Sequence, residues 1–250
     1  MNIVIFDTET TNLEKPFCYN IGYTIVELET GRTLCSRDFV CEQIWHNTPL
    51  FSTAYYADKK PIYISAMKGK TCKMNKIGFI TQKMIKDFDA FNVEKAFAYN
   101  APFDEMVFNF NCEYFKIVNP FDNIPIIDIV PYVHKIIAFN KDYQDFCEQY
   151  KLFTESGNYS TTAESVYKFI TNNPDFNEDH TALSDSLIEK DILFYCLNRG
   201  IDIEKVYKKY RCIPRKIEKT FTIKKDGKTL VEITGKKIRI SKDKTNISIT

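Results

Sequence analysis

Four acids and one histidine in this 250-residue chain stand where their side chains could do chemistry. Asp7 and Glu9 close the run Ile3-Val4-Ile5-Phe6-Asp7-Thr8-Glu9, in which a continuous apolar stretch, as in a buried central strand, ends in two acids two residues apart. Side chains at i and i+2 of a strand lie about 7 Å apart on one face, so ionised carboxylates there repel unless a cation sits between them. A hard divalent ion such as Mg²⁺ meets that need with oxygen ligands. From these two residues alone, a solvated strand end is an equal alternative.

Asp104, in Tyr99-Asn100-Ala101-Pro102-Phe103-Asp104, falls in the first turn of a helix opened by Pro102. A helix N-terminus favours a carboxylate with no metal at all, and alone Asp104 reads as a dipole-stabilising residue. Asp185 shares a helical stripe with Ile188, Ile192 and Cys196, at spacings of three, seven and eleven. It should therefore face the core, where an unpaired carboxylate is expensive, and a functional role is the better reading. His180 stands five residues earlier, just outside the helix start. From there it could lean toward the site that Asp185 enters and, titrating near neutral pH, take a proton from water. His46 and His134 lack such company and read as structural.

The elements that must position these groups follow from periodicity. The apolar run at 3–6 leads into β-rich runs near 18–28 and 33–41, joined by Thr30-Gly31-Arg32, a hairpin signal. Residues 43–80 read as irregular; helical spacing then begins at Met84, Ile85 and Phe88, followed by a strand at Ala96-Phe97-Ala98-Tyr99 and the helix from Pro102. Residues 124–129 read as a buried strand, and 141–150, 162–172 and 181–198 as helices. That order predicts an α/β fold, a mixed sheet covered by helices. From about 216 period two returns through Phe221, Ile223, Val231, Ile233, Ile238 and Ile240, which predicts a small β-meander.

With 44% hydrophobic and 27% charged residues and only 8 Gly and 9 Pro, the chain is neither disordered nor fibrous. No apolar run reaches the roughly 18 residues of a membrane span, and the N-terminal run is too short for a signal-peptide core, so a cytoplasmic protein is expected. Eight cysteines without a CxxC pair fit reduced thiols. The net charge of +1 hides an asymmetry: residues 216–250 carry 10 Lys/Arg against 4 Asp/Glu. That basic tail could hold nucleic acid or keep a docked meander soluble. Six lysines and no acid lie between Lys59 and Lys76, beside Tyr55, Tyr56 and Tyr63. This segment could guide a phosphate backbone with aromatic stacking, although a solvated lysine-rich loop is the commoner case.

Taken in order, Phe6-Asp7-Thr8-Glu9-Thr10-Thr11, then Tyr99 to Asp104, then His180 followed after four residues by Asp185, the set resembles the DEDDh (DnaQ-like) 3′ to 5′ exonuclease family. In the sister branch a tyrosine would stand at Thr181, so the histidine branch is indicated. The resemblance implies a ribonuclease H-like exonuclease domain over about 1–200, with the lysine-rich insertion at 43–80 and a helix and basic β-meander extension over 201–250. It further implies that Asp7, Glu9, Asp104 and Asp185 bind two divalent ions, Mg²⁺ or Mn²⁺, with His180 as general base. Thr8, Thr10, Leu13, Asn100 and Phe103 would receive the terminal nucleotide. Asn12, where the family often has Gly, should tolerate the same left-handed turn. The implied partner is nucleic acid with a free 3′ end, more probable as a single strand, with a polymerase or replication protein as a further candidate. DNA is the first-choice substrate; an RNA-directed member or a non-catalytic nucleic-acid-binding subunit are the rivals. Lysine outnumbers arginine 28 to 6, which suggests an AT-rich genome, and the layout resembles free-standing exonucleases of bacteria and phages.

Overall fold

The computed structural model describes residues 1–215 with their side chains and, between 216 and 250, the backbone of four strands. Three strands lead, as the alternation predicts: β1 (Asn2–Thr10), β2 (Cys18–Glu27) and β3 (Thr33–Cys41). They pair antiparallel in sequence order. Next come short helices α1 (Glu42–Trp45), α2 (Thr48–Phe51) and α3 (Lys60–Lys68), strand β4 (Lys73–Asn75) and helix α4 (Ile77–Ala90). The second half holds β5 (Val93–Ala98), α5 (Pro102–Phe115), β6 (Ile126–Asp128), α6 (Val130–Val133), α7 (Lys141–Tyr150), α8 (Ala163–Ile170) and α9 (Ala182–Leu197). The six strands form one mixed sheet in the order β4-β3-β2-β1-β5-β6, with β5 parallel to β1 and β6 parallel to β5.

Strand β1 lies in the middle and is buried on both faces, which is why its first half is apolar without interruption. Its alternation sorts the core into two. Val4 and Phe6 point into a cluster with Met84 and Phe88 of α4 and Val107 and Phe108 of α5. Ile3 and Ile5 point into the opposite cluster, with Tyr143, Val166, Ile188 and Ile192 of α7, α8 and α9. Period two then carries Asp7 and Glu9 to the α9 side and Thr8 to the α5 side.

Helix α9 is seated unusually close to the sheet. The Ala182 backbone N–H donates to Asn20 Oδ1 at 2.8 Å, and Gly22, paired across the ladder with Asp7, lies directly beneath the first turn. A Cβ on Gly22 would come within 2.0 Å of the Leu183 backbone nitrogen, so no other residue fits without lifting the helix. Gly22→Ala should therefore destabilise the protein by about 1–3 kcal/mol or more. A thermal melt should show a fall of roughly 3–10 °C for a chain of this size; an unchanged melting temperature would mean that α9 rides higher in solution.

Several expectations need correction. Residues 43–80 are ordered, with Trp45, Phe51 and Tyr63 packed edge to face around one another and Tyr19. Their helices are only four to nine residues long, too short to display a clear period. The strand expected over 124–129 shrinks to three half-buried residues. The helix expected after residue 200 does not form within 201–215. Gly200, at φ +92°, ends the preceding helical turn, and the chain beyond runs as a strap, held by Tyr210 N–H to His134 Nδ1 (2.9 Å) and Tyr159 N–H to the Ile213 carbonyl (2.9 Å). In the tail, Lys219–Lys225 pairs antiparallel with Lys228–Gly235, while Ile238–Ile240 pairs with Ile247–Ile249, giving two ladders where one meander was expected. Its side chains, including the six apolar ones named above, lie outside the described residues. No described helix is long and apolar enough to cross a membrane.

Candidate active site

Strand β1 delivers its acids at the carboxyl end of the central strand, where open α/β sheets place their ligands. Asp7 and Glu9, on the α9 side, meet Asp185 from the first turn of α9: one carboxylate oxygen from each lies within 4.8 Å of the others. Asp104 comes from the first turn of α5 and is 2% exposed. Thr8, between the two β1 acids, donates its backbone N–H (3.1 Å) and its hydroxyl (2.7 Å) to Asp104 Oδ1. That pair of bonds ties α5 to β1 across 96 residues of sequence. The Tyr19 hydroxyl donates to Glu9 Oε2 at 3.4 Å.

These acids are crowded, with Glu9 and Asp104 buried and Asp7 and Asp185 half-buried. Burial pushes Asp7 up to about 7, and burial with the Asp7 charge pushes Asp185 up to about 9. Glu9 and Asp104 are held well above the carboxylate range, first by burial and next by the charge of Asp7. Asp185 Oδ1 is buried with no hydrogen-bond partner among the described residues. A set of hard oxygen donors that repel one another, one of them orphaned, fits a hard divalent cation, whose charge would remove both penalties.

His180 precedes α9, the helix that carries Asp185, at φ +52°. Its ring stacks on Tyr56 at 4.1 Å between centroids and 10° between planes. Nδ1 lies 3.6 Å from Glu178 Oε2, and the Tyr63 hydroxyl donates to the His180 carbonyl at 3.3 Å. Glu164, Glu178 and His180 form a second group of donor atoms within 4.8 Å of one another, with Lys168 bonded to Glu164. Burial and then the Lys59 charge hold the imidazole below its ordinary value, so it is neutral at pH 7. The lysine-rich insertion thus supplies an aromatic wall, a tether and a positive charge around His180. Sequence reading missed Tyr56, Tyr63 and Glu178 in this role.

The other named residues are dispersed. Thr8 is buried and its hydroxyl is engaged with Asp104. Thr10 ends β1, half-buried, and Leu13 is 76% exposed in the loop that follows. Asn12 does not adopt the left-handed turn; its Oδ1 instead accepts from the backbone N–H of Glu14 and Lys15. Asn100 does have positive φ, +62°, and its Oδ1 accepts from Lys209. Phe103 is half-buried against the α5-side core. His134 is 2% exposed and accepts from the backbone, as a structural residue would, and His46 is exposed. All eight cysteines are free.

One buried acid on α9 was overlooked. Glu189, one turn after Asp185 on the same face of α9, is 3% exposed. Its i+4 spacing from Asp185 was the available signal, masked by the apolar residues of that stripe.

No protein-family profile matches this chain, and no curated protein sequence matches it. Solved structures do. The nuclease domain of 3'hExo, a DEDDh family member bound to rAMP, shares 13% identity and aligns with a TM-score of 0.52 over 80% of this chain and 92% of that one. A 3'-exonuclease described in 3'-end-specific recognition of the histone mRNA stem-loop shares 12%, with a TM-score of 0.53 over 93% of this chain and 90% of that one. E. coli exonuclease I in complex with a 5cy-dT13 oligonucleotide shares 14%, with a TM-score of 0.51 over 80% of this chain and 40% of that one. The chain therefore shares its fold, a mixed six-stranded sheet flanked by helices, with these exonuclease domains.

Proposed function

We propose that this chain is a divalent-metal-dependent exonuclease that hydrolyses the terminal phosphodiester bond at the 3′ end of a nucleic-acid strand and releases nucleoside monophosphates. Single-stranded DNA is the first-choice substrate. The observation that carries the reading is the convergence of Asp7, Glu9 and Asp185 oxygens within 4.8 Å, with Asp104 clamped beside them, on this fold. Asp7, Glu9, Asp104 and Asp185 would hold two ions, Mg²⁺ or Mn²⁺. Such ions, when bound, supply Lewis-acid polarisation of the phosphate and neutralise charge on the attacking and departing oxygens.

The chain's own groups do the rest. His180, neutral at pH 7, accepts a proton from the attacking water; with Nδ1 turned to Glu178, Nε2 is the nitrogen available for it. Glu178 and Tyr56 fix the plane of the ring. Leu13 and Thr10, beside the acids at the end of β1, would meet the last nucleotide, with Asn100 and Phe103 from the neighbouring loop and α5.

The test is a side-by-side assay of end-labelled single- and double-stranded DNA and RNA, with Mg²⁺ and with EDTA. Release of mononucleotides from a free 3′ hydroxyl, lost in EDTA, is the expected result. Faster cleavage of RNA would make the chain an exoribonuclease, and binding without cleavage would leave a nucleic-acid-binding subunit.

The stack on Tyr56 has its own consequence. Part of the burial that lowers His180 comes from that ring, so Tyr56→Ala should move the acid limb of the pH–rate profile upward, toward the ordinary imidazole value, and reduce kcat several-fold at pH 6. A profile that does not move would mean that the ring leaves His180 when substrate binds.

A further inference from the structure

Glu189 occupies an expensive position. It is 3% exposed, and its Oε2 is buried with no hydrogen-bond partner among the described residues. The charges that act on it most strongly are Asp7 and Asp104, with Asp185 next, and all three belong to the set assigned to metal. Helix geometry explains the convergence: Asp185 and Glu189 are one turn apart on the face of α9 that Gly22 and Asn20 bring down onto the sheet. Asp185 joins Asp7 and Glu9, and Glu189 follows one turn further along the same face of α9. A buried carboxyl group one turn from Asp185, with one oxygen bare, finds no cation among the described residues to offset it.

We propose that Glu189 is a fifth carboxylate of the metal centre, adding negative charge and an oxygen donor behind Asp7 and Asp104. The set of four acids and a histidine that the motifs carry has no place for it. The proposal rests on the metal-dependent reading above, and the experiment separates the two.

Glu189→Gln keeps the volume and a polar oxygen while removing the charge. Mn²⁺ would be titrated calorimetrically into metal-free wild-type, Glu189→Gln and Asp7→Asn proteins without nucleic acid, and each metal-free protein melted in EDTA. Glu189→Gln should bind Mn²⁺ at least about tenfold more weakly, with a metal-free melting temperature equal to or above that of wild type. Affinity within twofold of wild type would overturn the proposal. So would a metal-free melting temperature lower by more than about 5 °C, because the carboxyl group would then be part of the fold. If wild type itself binds no Mn²⁺, the metal-dependent reading fails and Glu189 falls with it; if wild type binds and Asp7→Asn does not, only the role of Glu189 is at stake.

Discussion

Asp7→Ala should reduce exonuclease activity at least about 10³-fold while leaving the fold intact. The ions that Asp7 would help to hold contribute several kcal/mol of transition-state stabilisation, and each 1.36 kcal/mol is a factor of about ten in rate. The stability effect has the opposite sign. Burial raises Asp7 to about 7 and, with Asp7 beside it, Asp185 to about 9. Between the unfolded carboxylate range near 4 and these values, the unfolded chain has released protons that the folded one retains. Rising pH therefore favours unfolding of the metal-free protein across that window. Removing Asp7 takes away one such group and its repulsion of Glu9, Asp104 and Asp185, so in EDTA at pH 8 the variant should melt at or above the wild-type temperature. Wild type should gain on adding Mg²⁺: an ion at about 100 times its Kd contributes roughly 2.7 kcal/mol, equivalent to about 5–10 °C here. The variant should lose most of that gain. Undiminished activity would sink the assignment, and a large fall in metal-free melting temperature would make Asp7 a structural residue.

His180→Ala should separate proton transfer from metal binding. Turnover is expected to fall on the order of 10²- to 10⁴-fold, the usual scale for a general base, while Mn²⁺ affinity stays near that of wild type. The pH profile carries the sharper test. Burial and the Lys59 charge hold His180 below its ordinary value, so the wild-type rate should fall only as pH drops below that lowered value and the ring gains a proton. The variant has no such group, and its residual rate should climb with hydroxide at high pH. An unaltered rate between pH 6 and 8 would refute the base role; lost Mn²⁺ binding would make His180 a ligand.

Much of this site was legible because it is built from local rules. The apolar run ending in Asp7 and Glu9 announced a central strand, and period two put both acids on one face. Asp185 declared itself by sitting on the buried stripe of α9. Other parts depend on contacts that no local pattern encodes. Asp104 was ambiguous as a first-turn acid until Thr8 bonded it from 96 residues away. The surroundings of His180 were beyond reach, because Tyr63 meets it across 117 residues of sequence and the short helices of the insertion have no readable period. Glu189 was different: its spacing from Asp185 was in plain view, and the apolar company of the stripe drew attention from it. The strap after Gly200 was misjudged because apolar residues there serve a bridge and a side-chain anchor where a helix was expected.

Gly22 sets the gap between sheet and helix. Asp7 rides on the sheet opposite Gly22, and Asp185 rides on the helix whose backbone a methyl group at position 22 would strike at 2.0 Å. Lengthening that gap would move one wall of the cavity and leave the other in place, like a shim under one jaw of a vice. Mg²⁺ demands oxygen atoms at about 2.0–2.1 Å and holds them rigidly, whereas Ca²⁺ accepts about 2.3–2.6 Å and irregular geometry. If the acids hold the ions proposed for them, the missing side chain at residue 22 would set the spacing between the donors, and a preference for a small ion over a larger one would depend on a strand position that touches neither.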